Sequence, residues 1–140
     1  MKKFCLACLM TMLLGLCPVY AQDGPAGGAE FKQGLAAYKR ADYDGALSHF
    51  SRGDEQGNAD CQYYLGLMLQ EGNGVMLDEA EAVRYFAKAA QNGQVDAMYS
   101  LGMAYGVGTG VERNIDKSIL WLQKAAEQGH SRAYRELMDL

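Results

Sequence analysis

The pattern of apolar residues predicts helices from residue 29 onward. In the first, apolar side chains follow at i, i+4 and i+7, the spacing of one helix face: Phe31, Leu35 and Tyr38. A second helix has the same kind of face in Ala46, Leu47 and Phe50. Asp42 precedes it as an N-cap, and Gly57 marks its end. Residues 29–58 are therefore predicted to form a shortened helical hairpin.

The chain then contains one 36-residue stretch that occurs twice without a gap, at 59–94 and 95–130. Identical residues recur at this offset, as in Leu65-Gly66 and Leu101-Gly102, or Ala89-Ala90 and Ala125-Ala126. A fixed period in this range is the signature of a helical solenoid. Each copy predicts two helices, the second of which begins after an N-cap, Asp78 or Asn114.

Glycines mark special positions in both copies. Gly66 and Gly102 lie inside a predicted helix, where glycine costs about 1 kcal/mol relative to alanine, so we expect a neighbouring helix to approach them closely. Gly74 and Gly110 belong to the loops between the helices. Gly93 and Gly129 are placed to end the second helices in the left-handed conformation.

Residues 131–140 begin a further first helix, with Ala133 and Leu137 on the apolar stripe. Glu136, Met138 and Asp139 abandon the Leu-Gly step of the repeats, since Met138 stands where its glycine would be. Because the outer positions turn polar, we interpret this segment as a capping helix.

The N-terminal segment has the features of an export signal. Lys2-Lys3 precedes an uncharged apolar run, Phe4 to Val19, and Val19-Tyr20-Ala21 predicts cleavage after Ala21. The alternative is an uncleaved membrane anchor, for which the run is short. Residues 22–28 are rich in glycine and proline, and we predict a disordered leader. The signal predicts an exported, periplasmic protein, with no membrane insertion of the mature chain.

Charge and cysteine content narrow the functional classes. The chain carries a net charge of −4, and without Lys2 and Lys3 it retains 11 basic and 17 acidic residues, a net charge of −6. Such an acidic chain without a basic cluster argues against binding to nucleic acid and to anionic membrane surfaces. Cys5, Cys8 and Cys17 lie in the export segment, so Cys61 alone remains and no intramolecular disulfide is expected.

The repeat resembles the Sel1-like repeats, which belong to the tetratricopeptide-like superfamily. The resemblance rests on these residues of the second copy: Ala97, Leu101, Gly102, Tyr105, Gly108, Gly110, Val111, Asn114, Trp121, Ala125, Ala126 and Gly129. The first copy departs from it at Cys61 and Leu69, which remain apolar. The resemblance implies an all-α, right-handed α/α superhelix of about three helical hairpins plus a C-terminal capping helix. It also implies adaptor work, often in exported bacterial proteins.

No set of residues in the sequence predicts catalysis, a metal site or a cofactor. His49 and His130 are far apart in the predicted fold, and neither has a partner at metal-ligand spacing. Cys61 occupies the alanine position of the repeat, which predicts a small buried side chain rather than a reactive thiol. The Gly-rich loops lack the preceding strand and the lysine of a phosphate-binding loop.

The first helices of the repeats are expected to line a concave face. With Leu65 and Leu69 inward, the rotation of about 100° per residue directs another set of side chains away from the core. We predict that a partner protein contacts this set, which comprises Tyr63, Leu67, Glu71, Tyr99 and Met103. Asp60 and Asp96 join Glu71 in an acidic rim that favours a basic partner. An alternative is that the two tyrosines only pack between helices.

These observations favour a protein–protein interaction adaptor that is not an enzyme. Some members of the resembled family act as immunity proteins that bind and silence a secreted toxin such as a lipase effector, and this role stays open. A cell-wall or β-lactam hydrolase is a third alternative, but it requires a nucleophile and base that the sequence does not offer.

Overall fold

The computed structural model describes residues 26–139. Within them the chain forms seven helices: α1 (Gly28–Lys39), α2 (Tyr43–Glu55), α3 (Ala59–Glu71), α4 (Glu79–Gln91), α5 (Val95–Val107), α6 (Ile115–Glu127) and α7 (Ser131–Met138). Each helix packs against the next one in the chain, and α1 also contacts α3. The all-α solenoid predicted from the sequence is therefore confirmed. The export signal and residues 22–25 of the predicted leader lie outside the described residues.

The end of the predicted leader differs from expectation, because residues 26–28 are ordered. Gly27 is buried with φ +79°, and α1 already begins at Gly28. The Asn58 side-chain amide donates to the Ala26 carbonyl at 3.1 Å. A methyl group at Gly27 would lie 2.7 Å from the Asn58 Cβ, so the bare backbone here lets the chain pass close to the start of α3.

The second helices begin at the predicted caps. The side chains of Asp42, Asp78 and Asn114 each accept a hydrogen bond from the backbone N–H three residues later, at 3.1, 3.0 and 2.9 Å. These bonds satisfy one of the free N–H groups at a helix start. The three caps are 36 residues apart, so α2 belongs to the same series as α4 and α6.

The first helices have a second series of caps, which the sequence analysis did not predict: Asn58, Gln94 and His130. Each accepts the N–H three residues later, at 3.0, 2.7 and 3.1 Å. The other polar atom of the side chain reaches the preceding unit. Gln94 Nε2 lies 3.4 Å from Asp60 Oδ1, and His130 Nε2 lies 3.2 Å from Asp96 Oδ1. Each cap therefore joins the starts of two successive first helices.

The two glycines inside helices stand at helix–helix contacts, as predicted. A methyl group on Gly66 would lie 2.6 Å from the ring of Phe86 in α4. On Gly102 it would lie 2.9 Å from Leu122 Cγ in α6. The missing side chains therefore allow the two helices of one repeat to pack closely.

The loop glycines form the contact between successive repeats. Gly74 meets Tyr43, the first residue of α2, and Gly110 meets the backbone of Glu79, the first residue of α4. Because both loops have the same neighbour one repeat back, the loops position one repeat on the next. Gly93 and Gly129 end α4 and α6 at φ +89° and +88°, as expected.

The buried side chains form two clusters, one around Phe50 and Met68 and one around Phe86 and Leu122. Met68 and Gln62 are fully buried, although the predicted stripe of α3 did not include them.

Helix α7 forms at the predicted place, and its Ala133 is fully buried. Its outer face, however, is only partly polar. Tyr134 is 63% exposed and Met138 is 72% exposed. At the equivalent positions of the repeats, Gln62 and Met98 are buried, and Gly66 and Gly102 contact a second helix. The expectation of a polar outer face holds in part: Arg135 and Asp139, which replace Tyr99 and Met103 of the repeat, are exposed, but so are the apolar side chains of Tyr134 and Met138.

Candidate interaction surface

A groove of about 270 Å³ lies between α4 and α5. One wall is the apolar series Tyr99, Met103 and Val107 of α5, and the other is Val83 and Phe86 of α4. The remaining lining residues come from these helices, the end of α3 and the next loop: Gln70, Glu79, Ala82, Ser100, Ala104 and Thr109. We call this the α4–α5 groove.

A second groove of about 200 Å³, which we call the α6–α7 groove, repeats the first one 36 residues later. Ile115, Ser118, Leu122 and Glu136 stand where Glu79, Ala82, Phe86 and Ser100 stand in the first groove. Met103 and Val107 line both grooves, so they form the ridge between them. Val107 is 67% exposed, so this ridge is open to contact.

Two residues of the predicted binding patch lie in the first groove. Tyr99 and Met103 share the α4–α5 groove, but Tyr63 and Leu67 are not among its lining residues. All four side chains are half-buried and pack against the core cluster of Phe86 and Leu122. The prediction that they point away from the core is therefore wrong.

Contacts with neighbouring helices explain why these tyrosines are covered. The Tyr99 ring stacks on His130 of the next unit, with 4.5 Å between ring centroids. The Tyr63 ring lies 5.8 Å from that of Phe86, and burial raises the pKa of its hydroxyl. A side chain that is outward on an isolated helix can thus be covered by the adjacent helix of a solenoid.

The carboxylates of the predicted acidic rim have partners within the chain. Glu71 is exposed and accepts hydrogen bonds from the Tyr38 hydroxyl at 2.8 Å and from the Asn73 amide at 2.6 Å. Asp60 and Asp96 face the caps Gln94 and His130. Glu79, in contrast, lines the α4–α5 groove and takes part in no ion pair among residues 26–139.

The sequence does not single out the groove residues of the second helices, Val83 and Phe86, because only the first helices of a solenoid are expected to line its concave face. Their signal in the sequence is weak. Val83 and Ile119 are apolar at equivalent positions, but the same pattern also predicts ordinary core residues.

Cys61 is a buried structural residue. Its side chain is fully buried, and burial, with the nearby carboxylates of Asp60, Glu30 and Asp54, raises the pKa of the thiol to about 12. Since the thiolate is the nucleophilic form, this environment keeps the sulfur unreactive at neutral pH.

His49 joins the two helices of the first hairpin, where its Nδ1 lies 2.7 Å from Glu30 Oε2. This hydrogen bond, with the Arg52 guanidinium, lowers the pKa of Glu30. Across residues 26–139, no group of three or more His, Cys, Asp or Glu side chains could hold a metal ion. None of α1–α7 combines the length and the apolar character of a membrane-spanning helix.

Helical hairpins repeated at 36 residues, joined by glycine contacts and lined by grooves, define an α-solenoid of the interaction type. The family model of the Sel1 repeat matches residues 59–94 and 95–130. Because these matches cover half of the chain, it belongs to the Sel1 repeat family. A comparison with curated proteins finds no match.

Solved structures show the same fold. A Sel1 repeat protein from Oxalobacter formigenes is similar with a TM-score of 0.72 and 34% identity, over 74% of this chain and 43% of that one. The protein c5321, a protective antigen present in uropathogenic Escherichia coli strains, displays an SLR fold. It is similar with a TM-score of 0.74 and 35% identity, over 79% of this chain and 25% of that one.

The cysteine rich protein B of Helicobacter pylori, with a TM-score of 0.64 and 21% identity over 81% of this chain and 98% of that one, shares the fold alone. The chain spans less than half the length of the first two.

Proposed function

We propose that this protein is an adaptor that binds another protein through the α4–α5 groove and the ridge of Met103 and Val107. The Sel1 fold is generally used for protein–protein interaction, which supports this class of function. The observation that carries the proposal is the groove itself. It combines an apolar lining with the exposed Val107 at its edge.

The lining favours a large apolar side chain of the partner as the anchor. Val83, Tyr99 and Met103 are half-buried and offer aliphatic, aromatic and thioether surface. Methionine and aromatic side chains are favoured at interfaces, and a few buried anchors carry most of the binding energy there. The position of Val107 lets one partner segment cover both the groove and its ridge.

Electrostatics favour a basic residue beside that anchor. Glu79 lines the groove, and the chain beyond Lys3 has a net charge of −6. A partner with lysine or arginine next to its apolar anchor would meet Glu79 and be attracted by the overall charge. Raising the salt concentration should then lower the association rate constant, with a smaller effect on the dissociation rate constant.

Export to the periplasm is part of the proposal and rests on the sequence. Lys2-Lys3, the apolar run to Val19 and the Ala21 site together support a cleaved signal. Mass spectrometry of protein recovered from the cell envelope tests this directly. A chain that begins at Gln22 is expected, and a chain that retains residues 1–21 in the membrane fraction would contradict it.

The binding test uses Val107→Asp, because this exposed position places a charge on the ridge of both grooves without disturbing the core. Val107→Asp should weaken capture of the native partner at least tenfold, with unchanged helicity and melting. Met76→Asp is the matched control, since Met76 is 89% exposed in the α3–α4 loop and lies outside both grooves.

Full capture by Val107→Asp, or equal loss with Met76→Asp, would rule out the grooves as the site. The captured partner, identified by mass spectrometry, also separates the alternatives. A secreted toxin whose activity the protein blocks indicates the immunity role, whereas an envelope component indicates the adaptor role.

A further inference from the structure

We propose that the outer face of α7, formed by Tyr134 and Met138, is a contact surface for a second copy of this chain, in a symmetric antiparallel arrangement of the two α7 helices. The two side chains are one helical turn apart and are 63% and 72% exposed. They are continuous with Leu137, which packs on the core. Water contact of such a stripe is unfavourable, so a partner surface is expected to cover it.

The equivalent face of α3 and α5 shows what kind of contact this position makes. There it packs against the second helix of the same repeat, with Gly66 against Phe86 and Gly102 against Leu122. Met138 replaces that glycine in α7. A helix could not approach Met138 as closely as α4 approaches Gly66, so this face is not built for another second helix of the Sel1 type.

The distribution of exposed apolar side chains argues against a contact between α7 and the α1 end of another copy. Between residues 26 and 75 no large apolar side chain is exposed, so the α1 end offers α7 nothing apolar to cover. Another copy of α7 offers the same stripe. A surface that pairs with itself in this way forms a closed two-fold dimer.

The charges of α7 complement one another in the antiparallel arrangement. Arg132 and Arg135 lie in the first five residues of the helix, Glu136 follows Arg135 directly, and Asp139 follows the last turn. Two antiparallel copies place the basic half of one helix opposite the acidic end of the other, whereas a parallel pair would align like charges. The charges thereby select one orientation of the apolar contact.

The size of the contact sets the expected affinity. Eight residues of helix extend only about 12 Å, so the buried area falls below the roughly 1,200 Å² of a standard interface. We therefore expect a weak dimer that is populated at high micromolar concentration. Sedimentation velocity of the purified protein over a hundredfold concentration range should show a monomer that shifts to a dimer and to nothing larger.

Met138→Lys should abolish this shift, because it places a charge in the centre of the contact. Met76→Lys is the matched control, since it makes the same change at a methionine that is 89% exposed and lies in the α3–α4 loop rather than in α7. Circular dichroism confirms that both variants fold. A concentration-independent wild-type protein, an unchanged shift in Met138→Lys, or a lost shift in Met76→Lys would each overturn the proposal.

A charge exchange tests the orientation. Arg135→Glu and Asp139→Lys should each weaken self-association at least tenfold, and an equimolar mixture of the two should restore a dimer that contains one copy of each. Failure of the mixture to recover would overturn the antiparallel contact. So would assemblies larger than a dimer, or loss of the dimer in Val107→Asp, since these indicate insertion of α7 into a groove of another copy.

Discussion

Two junctions between successive repeats share one backbone design but are filled in different ways. At the first junction Gly53 of α2 meets Cys61 of α3. At the second, 36 residues on, both positions are alanine, Ala89 and Ala97, and both are fully buried. The larger cysteine thus stands opposite the smaller glycine. The comparison shows that the solenoid maintains the volume of the junction rather than the residue at either position.

The polar content of the junctions differs as well. Gln62 is fully buried at the first, where its amide donates to Asp54 at 2.9 Å and its carbonyl accepts from Asn92 at 2.8 Å. At the second junction, Ala90 and Met98 occupy the positions of Asp54 and Gln62. Lys124 of that junction lies over the Trp121 ring, 4.3 Å from its centroid. Among residues 26–139 no buried side-chain polar atom lacks a hydrogen-bond partner. The solenoid therefore tolerates a polar or an apolar junction, provided that every buried polar atom is hydrogen-bonded.

We expect the largest loss of stability from a change in the α5–α6 loop, where Gly110 contacts the preceding repeat. Gly110→Ala combines a φ of +69° with a collision against the Glu79 backbone, which cannot move aside as a side chain can. We expect a loss of about 3 kcal/mol or more in the free energy of unfolding. Gly129→Ala is the control, since its φ is +88° but nothing lies within 4 Å, and it should lose about 1–2 kcal/mol. Urea unfolding measures both, and equal losses would mean that the loop contact contributes nothing.

Exchange of the small residues tests the volume argument. Gly53→Ala should destabilise the protein by about 2 kcal/mol, because the new methyl group collides with the Cys61 sulfur. The double variant Gly53→Ala, Cys61→Ala reproduces the second junction and should recover most of that loss. The coupling free energy from the double-mutant cycle is the measurement. Additive losses would show that the two positions are independent and that the comparison of volumes is wrong.

Exchange of the buried polar residue tests the second difference. Met98→Gln buries an amide at the second junction, where Ala90 stands in place of Asp54. We expect this change to lower the free energy of unfolding by about 1–2 kcal/mol. Gln62→Met should cost about 1 kcal/mol, because Asn92 loses its acceptor but lies near solvent. Thermal and urea unfolding give both values. A stabilising Met98→Gln would mean that the two junctions accept polar groups equally.

The caps of the first helices offer a smaller test. His130→Ala removes the acceptor for the Ala133 N–H and should cost about 1 kcal/mol, the usual value of an N-cap. His130→Asn introduces the cap residue of the first junction and should recover most of this loss, although the stacking on Tyr99 is absent. The melting temperatures of the two variants distinguish a capping role from a stacking role. If His130 acts through its stacking on Tyr99, the two variants melt at the same lowered temperature. If it acts as a cap, His130→Asn melts at a higher temperature than His130→Ala.

The smallest effect at neutral pH concerns Cys61, which only the first junction contains. Burial raises the pKa of its thiol to about 12, whereas an unfolded thiol ionises near about 8.5. The unfolded state therefore loses its proton first, so the contribution to stability is complete below about pH 8.5 and is lost as the pH rises toward 12. In a plot of unfolding free energy against pH, Cys61→Ala should remove the part of the alkaline decline that begins at about pH 8.5, whereas the tyrosines whose pKa values are raised by burial cause a decline above about pH 10 in both proteins. An identical decline in the variant would assign it to other groups.

Most of the local structure followed from the sequence, because the spacing of apolar residues and of caps is a local property. The 36-residue offset, the helix starts at Asp42, Asp78 and Asn114, and the close contacts of Gly66 and Gly102 all have direct signatures in the order of residues. The family resemblance rests on the same positions. Because the repeat occurs twice, each such inference can be checked against the equivalent residues of the other copy.

The candidate site depended on the tertiary structure. Tyr63 and Leu67 were predicted outward from the rotation of a single helix, but the side chains of the core cluster packed against them decide how much of them is exposed. The grooves arise between helices that the sequence treats as separate, and Val83 and Val107 gain their role only from that placement. The same holds for Tyr134 and Met138, whose exposure depends on which helix packs against α7. The sequence determines each helix and its period, whereas accessible surface is a property of how the helices are packed together.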